Sequence, residues 1–454
     1  MKHPIAKISA LSAAILAATP ALAGGFDNSS RGFDIIYGDN SVISTSYGQT
    51  TVPMKARIDK MKRAEASGAE SNAKIVGSGE IIDNFNRPQI GMRYQVAEGV
   101  TCAAQFEQPF AAQVSYADDS IAYVATNELG QPIDADGNPT ADASKMVTKS
   151  APIDTKYESE SFTVACGYSM ALSTGSIKVF AGPKIQKVNG AFNEDLSPSA
   201  TATGINDNLT VELDGGSEFG YIAGLAYEIP EIALRASILY HSQIDYEATG
   251  TINANVPGQL SFTTPGKAKT FTPQSVELGL RSGIADNTLG FVKLRWSEYG
   301  KLTTLSVDGD DSTVVGGNSL AMINQGVGGQ LSSLIDPEVS MFSNDTLDYS
   351  LGLGHRFNDK LTLGTSFSGS IKLGGKSDDT PLGADSTSLR LPGDTSHTLS
   401  FGGEYAVLSN LKVNGGFGYT FIDEYRVETT SGSYRAEFGK TEATSFQLGL
   451  TYEI

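Results

Sequence analysis

Segment after segment of the chain alternates apolar residues with polar or small ones at a period of two, the spacing that places successive side chains on opposite faces of a strand. Ile90, Met92, Tyr94 and Val96 fall on one face, with Gly91, Arg93 and Gln95 on the other. The pattern repeats at Tyr221, Ala223, Leu225 and Tyr227, then at Ile232, Leu234, Ala236, Ile238 and Tyr240, then at Val276, Leu278 and Leu280. It returns at Tyr349, Leu351 and Leu353, at Leu399, Phe401, Gly403 and Tyr405, and at Leu411, Val413, Gly415, Phe417 and Tyr419. Each run approaches the roughly ten residues that a tilted membrane-crossing strand needs.

Alternation alone fits two architectures, a soluble sandwich with one wet face or a transmembrane barrel with one lipid-facing wall. The connections separate them. Short turns fall at Ala97-Glu98-Gly99, Ser173-Thr174-Gly175, Pro230-Glu231, Ala285-Asp286-Asn287, Asn358-Asp359 and Ser409-Asn410. Between them lie long polar connections near 54–87, 115–158, 189–216, 248–272, 305–343, 375–394 and 427–438. Strict alternation of short and long is the turn-and-loop asymmetry of an outer-membrane barrel. Counting strands between connections gives about fourteen, an even number that returns both ends of the chain to one side of the membrane. The expected fold is therefore all-β: a transmembrane antiparallel β-barrel of about 14 strands, spanning 41–454, preceded by a short N-terminal hatch at 24–40 and a leader at 1–23. The last segment, Phe446, Leu448, Leu450, Tyr452 and Ile454, keeps apolar residues at every second position to the carboxyl end. It resembles the terminal-strand signal of outer-membrane proteins, with Ile in the last place where Phe is usual.

The leader reads as a secretory signal peptide: Lys2 and Lys7, an apolar run from Ile8 to Ala18, and small residues ending at Ala23. That run is too short for a spanning helix, and no apolar stretch downstream approaches about 20 residues. Composition agrees with strands in a membrane, with 50 glycines, 18 tyrosines and 20 phenylalanines among 454 residues. A formal charge of −18 excludes a nucleic-acid partner, because binding phosphate needs clustered Lys and Arg. With two cysteines and four histidines there is no structural metal spacing and no catalytic motif, so neither a metal, a cofactor nor an enzyme is expected. Asp134-Ala135-Asp136-Gly137-Asn138 resembles a calcium loop but lacks the distal Glu, and reads as a solvated acidic loop.

Three stretches resemble the FadL-like long-chain fatty-acid and hydrocarbon transporters of outer membranes. Gly224-Leu225-Ala226-Tyr227-Glu228 with Tyr240-His241-Ser242-Gln243-Ile244-Asp245-Tyr246 is similar to one family hairpin. Thr272-Pro273-Gln274-Ser275-Val276-Glu277-Leu278-Gly279 with Val292-Lys293-Leu294-Arg295-Trp296-Ser297-Glu298 is similar to a second, and Leu391-Pro392-Gly393-Asp394 before Leu399-Ser400-Phe401-Gly402 to a third. The resemblance implies a monomer with a hatch-plugged lumen that passes hydrophobic molecules, long-chain fatty acids first among them, and releases them sideways into membrane lipid. Phe26, Phe33, Ile35 and Ile36 would be the hatch contacts, although the family's Asn-Pro-Ala element is missing.

Within that expectation Pro109, in Phe106-Glu107-Gln108-Pro109-Phe110, removes a ladder hydrogen bond from the third strand. The resemblance makes Phe106, Pro109 and Phe110 a lateral opening; the alternative is a proline beyond the bilayer. Arg93, Arg235, Arg281, Lys293 and Arg295 fall on the inward parity, where they either hold a fatty-acid carboxylate or pair with lumen acids such as Glu277 and Glu298. Cys102 and Cys166 share the outward parity on strands registered by Phe106 opposite Phe162, and form either a cross-strand disulfide or two lipid-facing thiols. A general diffusion porin is the competing function, and a structural or adhesive barrel the third.

Overall fold

The computed structural model of the chain describes residues 27, 29, 31–38, 40–60, 80–116, 122–124, 134, 136–142, 145, 148–150, 153–196, 207–256, 260–329, 331–341, 344–373, 395–428 and 435–454. Fourteen antiparallel strands close into a barrel. They are β1 (Val42–Thr51), β2 (Phe85–Ala97), β3 in two pieces (Val100–Glu107 and Ala111–Tyr116), β4 (Ile153–Ala171), β5 (Ser176–Leu196) and β6 (Asp207–Ile229). β7 (Leu234–His241 and Ile244–Val256) and β8 (Leu260–Thr272 and Ser275–Ala285) are also each in two pieces. β9 (Thr288–Ser297), β10 (Asp345–Arg356), β11 (Leu361–Leu373), β12 (Ser396–Ala406), β13 (Leu411–Ile422) and β14 (Thr441–Glu453) complete the wall. β1 pairs with β14 from Val42↔Glu453 to Thr51↔Thr444, so no edge strand is left to the lipid.

The period-two pattern becomes the two faces of this wall. Ile90, Met92 and Tyr94 are 45–56% exposed and point outward, while Gly91 and Arg93 are buried inward. On a soluble sheet such exposure would be an aggregation surface; around a closed barrel it is the belt that meets acyl chains. The short turns lie at the end where both the first and last strands terminate. Gly175 shows why they hold their composition: its φ is +81°, and a Cβ there would come 2.1 Å from the Glu228 carbonyl oxygen.

The wall is taller on one side than the sequence predicts. Two of the expected long connections, 189–216 and 248–272, are largely strand, since β5 and β6 pair from Asp207↔Leu196 onward and β7 pairs with β8 from Ile244↔Thr272 to Val256↔Leu260. Their outward residues are polar, including Asn253, Thr263 and Lys269, so they lack the apolar alternation of the membrane belt although they continue the same ladders. Inward they carry Val211, Ile252, Phe262 and Ala268, which pack with Leu320, Leu334 and Ile335 from two short helices, Leu320–Gly326 and Ser332–Ile335. An apolar core thus lies inside the wall nearer the long connections.

Candidate functional site

The third strand is broken at Gln108-Pro109. Glu107 pairs with Ser161 and Ala111 with Glu158, so three residues of β3 oppose two of β4. That single extra residue is a bulge, and it switches the inward parity: Ala103 and Gln105 face in before it, Ala112 and Val114 after it. Phe110 is 1% exposed and is fixed by Ser159, whose Oγ accepts from the Phe110 amide at 2.9 Å and whose amide donates to the Phe110 carbonyl at 3.0 Å. Phe106 stands below the bulge, opposite Phe162 on the outward face.

On its other side β3 parts from β2. Their ladder runs from Ala97↔Val100 to Gln89↔Glu107 and then lapses, and the two chains meet again at Ile82↔Val114. Pro88 stands at the edge of this lapse on β2, and like Pro109 it has no N–H to give. Sequence reasoning missed Pro88; its place next to a predicted strand, with a second proline on the neighbour, was the available signal. Below the break, Cys102 and Cys166 lie opposite one another and form a disulfide, with their Cα atoms 4.0 Å apart.

The hatch enters the lumen at this level. Residues 31–38 contain only one turn of 3-10 helix, Asp34–Ile36, so most of their carbonyls need partners from outside. The wall supplies them. Gln105 Nε2 donates to the Gly32 carbonyl at 3.0 Å, Lys178 Nζ to Ile36 at 3.1 Å, and Arg93 to Asn40 at 2.6 Å, Ile35 at 3.2 Å and Tyr37. Phe33, Ile36 and Tyr37 pack against Ala103, Ala165, Phe180 and Leu239, with Ile35 at the margin of the cluster. Gly91 makes room for Ile35, since a Cβ there would lie 2.4 Å from its Cδ1. Phe26, the fourth expected hatch contact, lies outside the described residues.

The inward bases converge on the hatch as well. Lys293 pairs with Asp34, and with Glu277 at 3.6 Å. Arg295 pairs with Asp348 at 2.6 Å and with Asp27 at 3.5 Å. Arg235 pairs with Glu228 at 2.6 Å and lies 3.9 Å over the Tyr37 ring, a cation–π contact. Arg281 sits across the ladder from Arg235. Glu298 pairs with Lys301 instead of with any of these bases. Burial pushes the Asp27 carboxyl above the ordinary range despite Arg31 and Arg295. Burial works the same way on Asp34, but there Lys293 prevails and holds the carboxyl below its ordinary value.

Asp27, Arg31 and Ser29 tie this hatch to the break. Asp27 forms a β-bridge with Phe110, the Ser29 amide donates to the Pro109 carbonyl at 3.3 Å, and Ser29 Oγ donates to Glu107 at 2.7 Å. Arg31 stacks 4.9 Å from the Phe110 ring centre and donates to Ser297 Oγ at 2.8 Å. These residues were invisible to a reading based on apolar hatch contacts; an Asp in each short apolar stretch of the hatch, facing five inward bases, was the signal. Among the described residues no group of three or more His, Cys, Asp or Glu side chains could hold a metal.

The barrel fold is shared with solved structures. A Pseudomonas aeruginosa FadL homologue shares the fold with a TM-score of 0.68 at 14% identity, over 95% of this chain and 96% of that one. The P. putida toluene transporter TodX superposes with a TM-score of 0.56 at 14% identity, covering 92% and 91%. The Ralstonia pickettii toluene transporter TbuX does so with 0.53 at 12% identity, covering 92% and 90%. No curated protein sequence matches the chain. The family model described as outer membrane protein transport protein (OMPP1/FadL/TodX) matches residues 142–454. The protein is thus an outer-membrane β-barrel of a family of transport proteins, not enzymes, and the chain belongs to the OMPP1/FadL/TodX family.

Proposed function

We propose that this barrel carries long-chain fatty acids or related hydrophobic compounds passively across the outer membrane, working as a monomer and releasing them sideways into lipid through the break in β3. The observation that carries this reading is the lapse of the β2–β3 ladder between Gln89↔Glu107 and Ile82↔Val114, directly beside the hatch residues Asp27 and Ser29. A hydrophobic molecule gains nothing from crossing a wet periplasm, whereas a gap in the wall at the level of the acyl chains lets its apolar surface pass from protein to lipid without meeting water. TodX and TbuX are named as toluene transporters, which supports an apolar cargo here.

The competing porin needs an open aqueous lumen. Here Phe33, Ile36 and Tyr37 pack on inward wall residues, and a second apolar cluster packs inside the wall nearer the long connections. Reconstituted into a planar bilayer, the protein should show no stepwise conductance of porin size, while purified protein binds oleate saturably. Large, stable conductance steps without oleate binding would establish the porin instead.

A further inference from the structure

We propose that the Cys102–Cys166 disulfide makes β3 and β4 one covalent panel of the wall, so that the broken strand parts from β2 and not from β4. The inference deepens the exit reading above by fixing which edge of β3 moves; it rests on that reading for the use of the movement, not for the movement itself.

The two edges of β3 are unequal. With β4 it pairs on both sides of the bulge, from Val100↔Tyr168 to Glu107↔Ser161 and again from Ala111↔Glu158 to Tyr116↔Ile153. With β2 it pairs as far as Gln89↔Glu107 and then not until the single bridge Ile82↔Val114. The cysteines stand directly opposite one another in the lower β3–β4 ladder, on the outward face. The rungs above them are Ala103↔Ala165 and Ala104↔Val164, pairs with little side-chain surface to hold two strands together. A covalent bond between residues 64 apart in sequence supplies the tie that these side chains do not.

The far edge of the panel is weakened too. The β4–β5 ladder skips Val164 and Ala165, opposite Pro183 and Gly182, and resumes at Cys166↔Ala181 without a change of register. Pro183 has no N–H to give. Gly182 lets the backbones close together there, since a Cβ on it would lie 1.9 Å from the Val164 carbonyl oxygen. That seam is short of hydrogen bonds yet shut, whereas the β2–β3 ladder stops at Glu107. On the lumen side Ala103 and Ala165 belong to the cluster that holds Phe33 and Ile36, so the hatch rests on the stapled pair.

The test reads site-resolved hydrogen exchange of the full chain in detergent, without cargo, folding being checked by heat-modifiable electrophoretic mobility. In the parent, the amides bonded between β2 and β3 should exchange about tenfold faster than those bonded between β3 and β4. With Cys102→Ser and Cys166→Ser together, the β3–β4 amides should quicken about tenfold, so that most of the difference vanishes. The distant β12–β13 ladder, Ser396↔Ile422 to Ala406↔Lys412, should stay as protected as before. If the double variant does not fold, the folded parent reduced with dithiothreitol takes its place. Equal exchange on the two edges of β3 in the parent, an edge difference that survives loss of the bond, or an equal quickening of β12–β13 would overturn the panel. Cargo uptake is measured apart: its absence removes the exit reading and leaves the panel standing.

Discussion

Replacing Arg295 by Met should release the hatch. The substitution keeps much of the side-chain volume but takes from Asp348 its cation and from Asp27 one of two, Arg31 staying at 3.3 Å; Asp27 is completely buried and Asp348 largely so. Removing one partner of a buried ion pair costs about 3–5 kcal/mol, mostly because the remaining charge is stranded. Free energy of that size shifts the balance between docked and undocked hatch by a factor on the order of 10² to 10³. The measurement is bilayer conductance, near zero for the parent and intermittently open for Arg295→Met. Adding Asp348→Asn to the same chain removes the stranded charge and should recover part of the loss, as a coupled network requires. A variant as closed as the parent would show that the apolar cluster around Phe33 and Ile36 holds the hatch alone.

Deleting Pro109 should close the wall. The bulge is one residue of β3 in excess of β4, so its removal leaves Glu107↔Ser161 and Ala111↔Glu158 in place and joins them by a regular strand. Counted along that strand, Glu107, Phe110 and Ala112 all face inward, and Phe110 and Ala112 come opposite Arg87 and Phe85 of β2, which face inward too. The β2–β3 ladder can then continue where it now lapses as far as Phe85↔Ala112, in place of the Ile82↔Val114 bridge, which falls one residue out of register. Hydrogen exchange at 108–113 should slow, and uptake of hydrophobic cargo should fall about tenfold or more, equivalent to at least ~1.4 kcal/mol on the passage. Pro109→Ala restores a donor but keeps the extra residue, so it should lose less. Full uptake by the deletion variant, with slowed exchange, would place the exit elsewhere.

The barrel was legible because a membrane enforces period two on every strand it surrounds, and because its turns and loops are unequal in length. The tall polar wall of β5 to β8 was not, since its outward residues face water and carry no apolar alternation to count. The register that sets Phe106 opposite Phe162 and Cys102 opposite Cys166 followed from parity and strand order, whereas the choice of a disulfide over two thiols did not. Pro109 announced itself through its missing N–H, but Pro88 stands across the lapse from it, and only the neighbouring strand shows what the two do together. The inward bases could be found by counting, and so could one acid that pairs with them, Glu277 beside Lys293, whereas the partners on the hatch could not. Asp27 and Asp34 sit far from Lys293 and Arg295 in sequence, on a segment with almost no regular structure, and only the folded hatch brings them within reach.

The most direct test of the account is uptake by cells of a Gram-negative host that lacks its own outer-membrane fatty-acid transporter and carries this barrel. Saturable uptake of radiolabelled oleate that depends on the barrel, with no gain in permeability to a small sugar, is the predicted result. Faster sugar permeation without oleate uptake would contradict it.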